Sequence, residues 1–516
     1  MYALILLCRK IINKNKGVIF SYMKKIIEFI KKHDNILMFL IIAILLLKVT
    51  YNISIKNNDE LINFLNIYKM INGQTIYQDT NVIITPLFFY LGEIILSIFG
   101  NNILVFRIFN HILSTIMYLL CYQIFKTIKI NKKLAVLYTI LIIMFTYGII
   151  GAGANYNVLA YVFFELGVLL MLKMKKGNKK DIVQGIILFL VFFSNQKLSA
   201  GYFLALVIYE LYNKNIKSLL KELGTAGILV IIYCIYMLLQ NNLYSFINYT
   251  ILGIGEFGAR NAVFKTSFIE NTTSILVVIF SIAIDIVLIK MMPKFAEKNC
   301  DETIKTIKTL LIFSLCTLVI VIPIINAYHL QLASILIFVN LFYGIHLLIF
   351  PIIDSKKLPI IILAIIGILL LIMTILSIIE MVKYAKTIND IPKENPFYGA
   401  IIDENLQKEI EEVTQYIKNE EKDVIVLSSY APFYSIILND LENKECDWAL
   451  RGNLGIEGEA GFTEKIKELD NTQILLYDNE YEEEIYQFVF DTIEYIKQNM
   501  KYIGKIQKFS IYETID

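Results

Sequence analysis

The sequence predicts a polytopic α-helical membrane protein of about eleven spans. It also predicts interfacial helices in the first external loop and a small C-terminal α/β domain outside the membrane. Three observations carry this reading. Apolar runs of membrane-spanning length recur between about residues 35 and 380. Of the 516 residues 57% are apolar and 18% charged, and mean hydropathy is +0.60, too apolar for one soluble core. From about Pro396 the composition turns soluble, and helix-like and strand-like segments alternate.

The chain divides accordingly. Residues 1–34 form a basic, cytoplasmic N-terminal segment, 35–380 the membrane domain, 381–395 a linker and 396–516 the external α/β domain. Residues 1–8 are apolar but too short to span, and no small-residue cleavage site follows, so no signal peptide is expected. Met23 heads a more ordinary membrane-protein start, which leaves residues 1–22 either an interfacial anchor or upstream of the true start.

The expected spans are 35–55, 103–125, 134–150, 155–172, 181–194, 198–213, 224–240, 272–290, 306–325, 330–350 and 358–380. Segments 181–194 and 198–213 are short and read as one bent helix or two spans. Segment 83–99 is apolar enough to be a further span, and the lysines arbitrate. The first 34 residues carry eight Lys/Arg, which holds them inside by the positive-inside rule. If 83–99 lies on the outer surface, the lysine-rich loops 126–133, 173–180, 214–221, 290–308 and 354–357 all fall inside. If it crosses, they all flip. Loop 52–102 is therefore external, with 83–99 an interfacial helix that begins at Pro86 and carries Gly92 and Glu93 in its middle.

In the C-terminal domain a helix is expected at 403–419, strands at 423–429, 473–477 and 505–512, and a helix near 481–499. The Gly-rich stretch 451–458 (RGNLGIEG) lacks the lysine and strand-to-helix setting of a phosphate loop and reads as a turn. The net charge of +2 gives no pull on nucleic acid. The cysteines are scattered, which implies no disulfide framework and no metal-ligand spacing.

Polar groups at the outer ends of different spans converge if the spans form one bundle. Loop one supplies Asp59, Glu60 and Asp79; the corners supply Asn155, Asn195, Gln196, Lys197, Tyr328 and His329; loop 241–271 supplies Glu256 and Arg260. A carboxylate there suits general-base catalysis on an acceptor, and a cation suits a phosphate leaving group. Each residue also has a purely structural reading. Asp59 and Glu60 suit a helix N-terminus, Asp79 a turn, Lys197 a snorkelling cation, His329 an interfacial polar residue, and Glu256 and Arg260 loop charges.

An Asp-Glu pair after span one, then Asn72–Asp79 (NGQTIYQD), Thr85–Gly92 (TPLFFYLG), Phe99-Gly100 and Arg107, resembles the bacterial polytopic glycosyltransferases of the GT-C superfamily. That group includes protein mannosyltransferases and aminoarabinose transferases. The corners Phe193–Gly201 (FSNQKLSAG) and Asn326–Leu330 (NAYHL) and the stretch Gly452–Gly455 (GNLG) extend the resemblance. It implies two interfacial helices in loop one, a polyprenyl-phosphate-linked sugar as donor, and an acceptor glycan, lipid or protein on the outer face. By resemblance Asp59 is the catalytic base, Glu60 stands beside it and Asp79 matches the second acidic position. Thr85 stands where many relatives have Lys or His, so Lys197, Arg260 and His329 fall to the donor phosphate, with Asn155, Gln196 and Tyr328 lining the pocket. Some members of the group need a divalent cation. This chain has no dense carboxylate cluster, which favours a reaction without cofactor or metal. The rival readings are a lipid-linked oligosaccharide polymerase or flippase, which would place charge in mid-span, and a scaffold that binds cell-wall components. Glu165 and Asp285 are the main candidate mid-span charges, and both are isolated, which disfavours transport.

Overall fold

The computed structural model describes residues 33–51, 58–146, 155–255, 268–297, 300–322, 327–348, 376, 379, 394–400 and 404–515, less 429, 443, 448, 450–452 and 478–488. The N-terminal segment 1–32, most of the expected span 358–380 and most of the linker lie outside the described residues, as do Glu256, Arg260 and Asn326.

The chain begins with helix α1 (Asp34–Tyr51). Two short helices follow in loop one, α2 (Asn58–Ile71) and α3 (Leu87–Phe99). The bundle continues through α4 (Ile103–Thr127), α5 (Lys132–Thr146), α6 (Tyr156–Lys173), α7 (Asn178–Ser194), α8 (Gln196–Tyr212) and α9 (Ile216–Leu239). A short helix α10 (Leu243–Ile247) runs into a π-helical turn, Asn248–Leu252. Then come α11 (Phe268–Glu297), α12 (Asp301–Cys316) with a 3-10 turn at Thr317–Val321, and α13 (Ala327–Leu348).

Six of these stretches are long and apolar enough to cross a membrane: Ile103–Thr127, Tyr156–Lys173, Ile216–Leu239, Ile275–Lys294, Asp301–Val321 and Tyr328–Leu348. Four more expected spans are helical. Helix α1 counts as a shorter apolar helix over Asp34–Leu47, α5 has 15 residues, and α7 and α8 have 17 each. The weak segments 181–194 and 198–213 are thus two helices, broken at Asn195, whose side chain accepts from the Leu198 N–H and starts α8.

Helix α3 has 13 residues. At 1.5 Å per residue it is about 20 Å long, against a hydrocarbon core of about 30 Å. It buries Phe88, Phe89, Gly92 and Leu96 and turns Ile98 and Phe99 outward, 68% and 72% exposed. A short helix with one packed face and one apolar exposed face fits a membrane boundary. Gly92 makes the packing possible, because a Cβ there would sit 2.3 Å from Ile67 Cδ1 on α2.

Charged groups gather at the end of the bundle away from α2 and α3. Lys126 and Lys132 bind Asp34, Lys129 binds Glu302, and Lys221 donates to Asn178. Lys305 donates to the carbonyls of Leu172 and Met174. Four of the expected lysine loops therefore share one end.

The C-terminal domain contains α14 (Glu404–Asn419), β1 (Asp423–Leu427), α15 (Ala431–Leu438), α16 (Lys444–Asp447), α17 (Gly458–Lys467), β2 (Thr472–Tyr477), α18 (Phe490–Asn499), β3 (Lys501–Ile506) and β4 (Phe509–Glu513). The sheet order is β1-β2-β4-β3, with β1 and β2 parallel and the other pairs antiparallel. The single strand expected at 505–512 is instead a hairpin. Gln507, at φ +50°, breaks the run, and Ile506 pairs with Phe509 across a tight turn. Alternation decides the two faces. Val426, Leu475, Phe509 and Ile511 join the core continuous with the bundle, whereas Ile425, Leu427, Ile474 and Leu476 pack under α17 and α18.

Candidate active site at the loop-one end of the bundle

Helix α2 begins with an acidic pair whose members have opposite surroundings. Glu60 is fully buried. Both its oxygens accept from Arg107 on α4, from Nε at 2.7 Å and from Nη2 at 2.7 Å. This is a bidentate fork, the strong geometry for a guanidinium and a carboxylate. Arg107 Nη1 also donates to the Gly399 carbonyl at 3.4 Å. Glu60 is thereby committed to holding α2 on α4 and on the segment that leads into the C-terminal domain.

Asp59 is different. It is exposed to solvent at the start of α2, with protein packed closely around it. Among the described residues no hydrogen bond or ion pair holds its carboxylate. It lies within electrostatic range of the Tyr156 and Tyr328 hydroxyls, on α6 and α13. Loss of bulk hydration pushes its pKa up to about 6, because desolvation disfavours the charged form.

The corners behind it form one polar network. Asn155 caps α6 by accepting from the Asn157 N–H at 2.7 Å, and its own N–H reaches Asn110. Asn157 Oδ1 accepts from Asn195 at 2.5 Å, and Asn157 Nδ2 donates to the Tyr328 hydroxyl at 3.5 Å. The ring of His329 packs on edge against Tyr328, with centroids 5.3 Å apart. Gln196 Nε2 donates to the Ile83 carbonyl at 2.8 Å and to the Thr250 carbonyl at 3.2 Å, tying loop one to the π-helical turn. Lys197 follows directly and is half-buried. Burial pushes its ammonium down to about 8.

Asp79 and Thr85 make local structural contacts in loop one. Asp79 closes a turn: its carboxylate accepts from the Thr75 N–H at 2.7 Å, and its carbonyl accepts from Lys69. Thr85 gives its hydroxyl to the Phe192 carbonyl at 2.6 Å and so holds loop one to the end of α7. Asn157, which joins the α6, α8 and α13 corners, was not singled out in the sequence, although the Asn155–Asn157 triplet (NYN) was its signal.

Just past Lys197 an apolar groove of about 280 Å³ runs between α7, α8 and α9. Phe189, Phe192, Ala200, Phe203 and Val230 line it. Among the described residues no group of three His, Cys, Asp or Glu side chains gathers as a metal site.

No protein-family model and no curated protein match the chain. Among solved structures, the chain is similar to the crystal structure of the Archaeoglobus fulgidus oligosaccharyltransferase in complex with zinc and sulfate. The TM-score is 0.45 at 13% identity, over 92% of this chain and 73% of that one.

Proposed function

We propose that this chain is a membrane glycosyltransferase. It moves a sugar from a polyprenyl-phosphate carrier to an acceptor glycan, lipid or protein on the extracytoplasmic face. Asp59 is the general base. One observation carries the reading: at the start of α2 a carboxylate with no hydrogen-bond or ion-pair partner among the described residues stands near the Tyr328 hydroxyl, and the polar network behind it runs through Asn157 to Asn195, two residues before the half-buried Lys197.

Asp59 takes the proton from the acceptor hydroxyl, and the acceptor oxygen bonds to the anomeric carbon. The carbon–oxygen bond to phosphate breaks, and prenyl phosphate leaves with the electron pair. Lys197 meets the charge that develops there. The apolar groove beyond Lys197 suits the first part of the prenyl chain, which would set the phosphate at the ammonium. Since Lys197 supplies the positive charge, the reading needs no divalent cation. Asn157, Tyr328, Asn155 and Gln196 line the site behind the base, and Glu60 with Arg107 fixes the helix that carries it. The mid-span carboxylates fit this reading better than a transport path. Glu165 is closed against Cys121 and Asp285 against Asn340.

The test is Asp59→Asn in proteoliposomes supplied with labelled prenyl-phosphate sugar and membrane extract. A general base contributes about 10²–10⁴-fold, so transfer should fall by at least about 10²-fold with the protein folded. Unchanged transfer removes Asp59 from the reaction.

A further inference from the structure

The described part of the Gly-rich stretch, residues 453–458, is not an idle turn. Gly455, at φ +69°, lies directly on the π-helical turn, where a Cβ would meet Asn248 Nδ2 at 2.7 Å. Asn248 Oδ1 accepts from the Ile456 N–H at 2.8 Å. Only glycine allows so close an approach in that backbone conformation. Beside this contact a cleft of about 200 Å³ opens. Tyr244, Ser245 and Asn248 form one wall, and Glu457, Phe462 and Lys465 form the other. π-Helical turns are rare and cluster at functional sites.

We infer that this cleft is a saccharide-binding subsite that takes one neutral pyranose ring. Its chemistry selects that ligand class. Tyr244 is 69% exposed and offers an aromatic face for the apolar C–H side of a sugar. A carboxylate, an amide, a hydroxyl and an ammonium supply both donors and acceptors for hydroxyl groups. One positive and one negative charge give no net attraction for a phosphate. The volume is below the roughly 300–1,000 Å³ of sites for drug-sized ligands, so a single ring is the fit. The cleft is also tied to the candidate centre. The same π-helical turn that presents Asn248 to the cleft gives its Thr250 carbonyl to Gln196, next to Lys197. The meaning of a sugar there rests on the proposed transferase; the binding itself does not.

Saturation-transfer NMR on the full chain in nanodiscs, with free glucose, galactose, mannose and N-acetylglucosamine as probes, tests the assignment. At least one sugar should receive saturation. Tyr244→Ala and Glu457→Gln, both at exposed side chains, should each weaken it about tenfold, the size of a lost charged hydrogen bond or stacking contact. Asp59→Asn should leave the signal intact. Adding the prenyl-phosphate form of the bound sugar sorts its source. Displacement identifies the donor's own sugar, and persistence identifies a ring of the acceptor; both support the subsite. No saturation of any probe, equal signals in the cleft variants, or loss of signal in Asp59→Asn would each overturn it.

Discussion

Arg107→Met is the most informative perturbation of the bundle. Arg107 and Glu60 are 1% and 0% exposed, with two hydrogen bonds of 2.7 Å between them. A pair so dry and so well aligned gains little net stability over apolar residues of the same size. Its disruption is another matter. Methionine at 107 fills much the same space but leaves the Glu60 carboxylate buried without its cation. That costs about 3–5 kcal/mol. The second substitution, Glu60→Leu, removes the stranded charge. The double variant should therefore regain most of the loss and melt close to the wild type. Thermal unfolding in detergent, followed by far-ultraviolet circular dichroism, ranks the four proteins. The expected order is wild type and double variant together, with both single variants well below. If Arg107→Met melts with the double variant, Glu60 does not need its guanidinium, and the bracing role is refuted.

Three further outcomes follow from the geometry. In the proposed reaction Asp59 must lose its proton, so transfer should rise as pH climbs through about 6, and Lys197 must keep its proton, so transfer should fall above about 8. A pH–rate profile without a limb near 6 would disconnect Asp59 from catalysis. Lys69→Met strands Asp447 beneath α2, where the two now form an ion pair of 2.5 Å with Lys69 0% and Asp447 1% exposed. A loss of about 3–5 kcal/mol is expected, read as faster proteolysis of the C-terminal domain and rescued by Asp447→Leu. Treatment with EDTA should leave transfer intact; abolished transfer restored by a divalent cation would replace Lys197 as the source of phosphate charge.

What could be read in advance was set by local composition. Apolar length gave the long helices, and Pro86 marked the start of α3. The β-prone apolar runs at 423–429 and 473–477 gave β1 and β2. The missed features depend on partners far along the chain. Nothing near Glu60 announces that Arg107 would take both its oxygens while its neighbour Asp59 stays open. Lys69 reads as one more amphipathic-helix lysine until Asp447, 378 positions later, meets it. The run from Lys505 to Tyr512 looks like one strand because both halves are β-prone. Its turn at Gln507 and Lys508 has no glycine or asparagine to mark it.

The first turn of a helix leaves backbone N–H groups without intrahelical acceptors. In α4 the Ile103 N–H is taken by the Pro396 carbonyl at 2.8 Å and the Leu104 N–H by the Tyr398 carbonyl at 3.2 Å. Arg107 adds the Gly399 carbonyl. The chain thus returns after nearly three hundred residues to finish a helix it began early. A truncation before Pro396 would not simply trim the molecule. It would leave the second long helix open at its start and loosen the arginine that holds Glu60 and α2, so removing the C-terminal domain should be felt deep in the bundle.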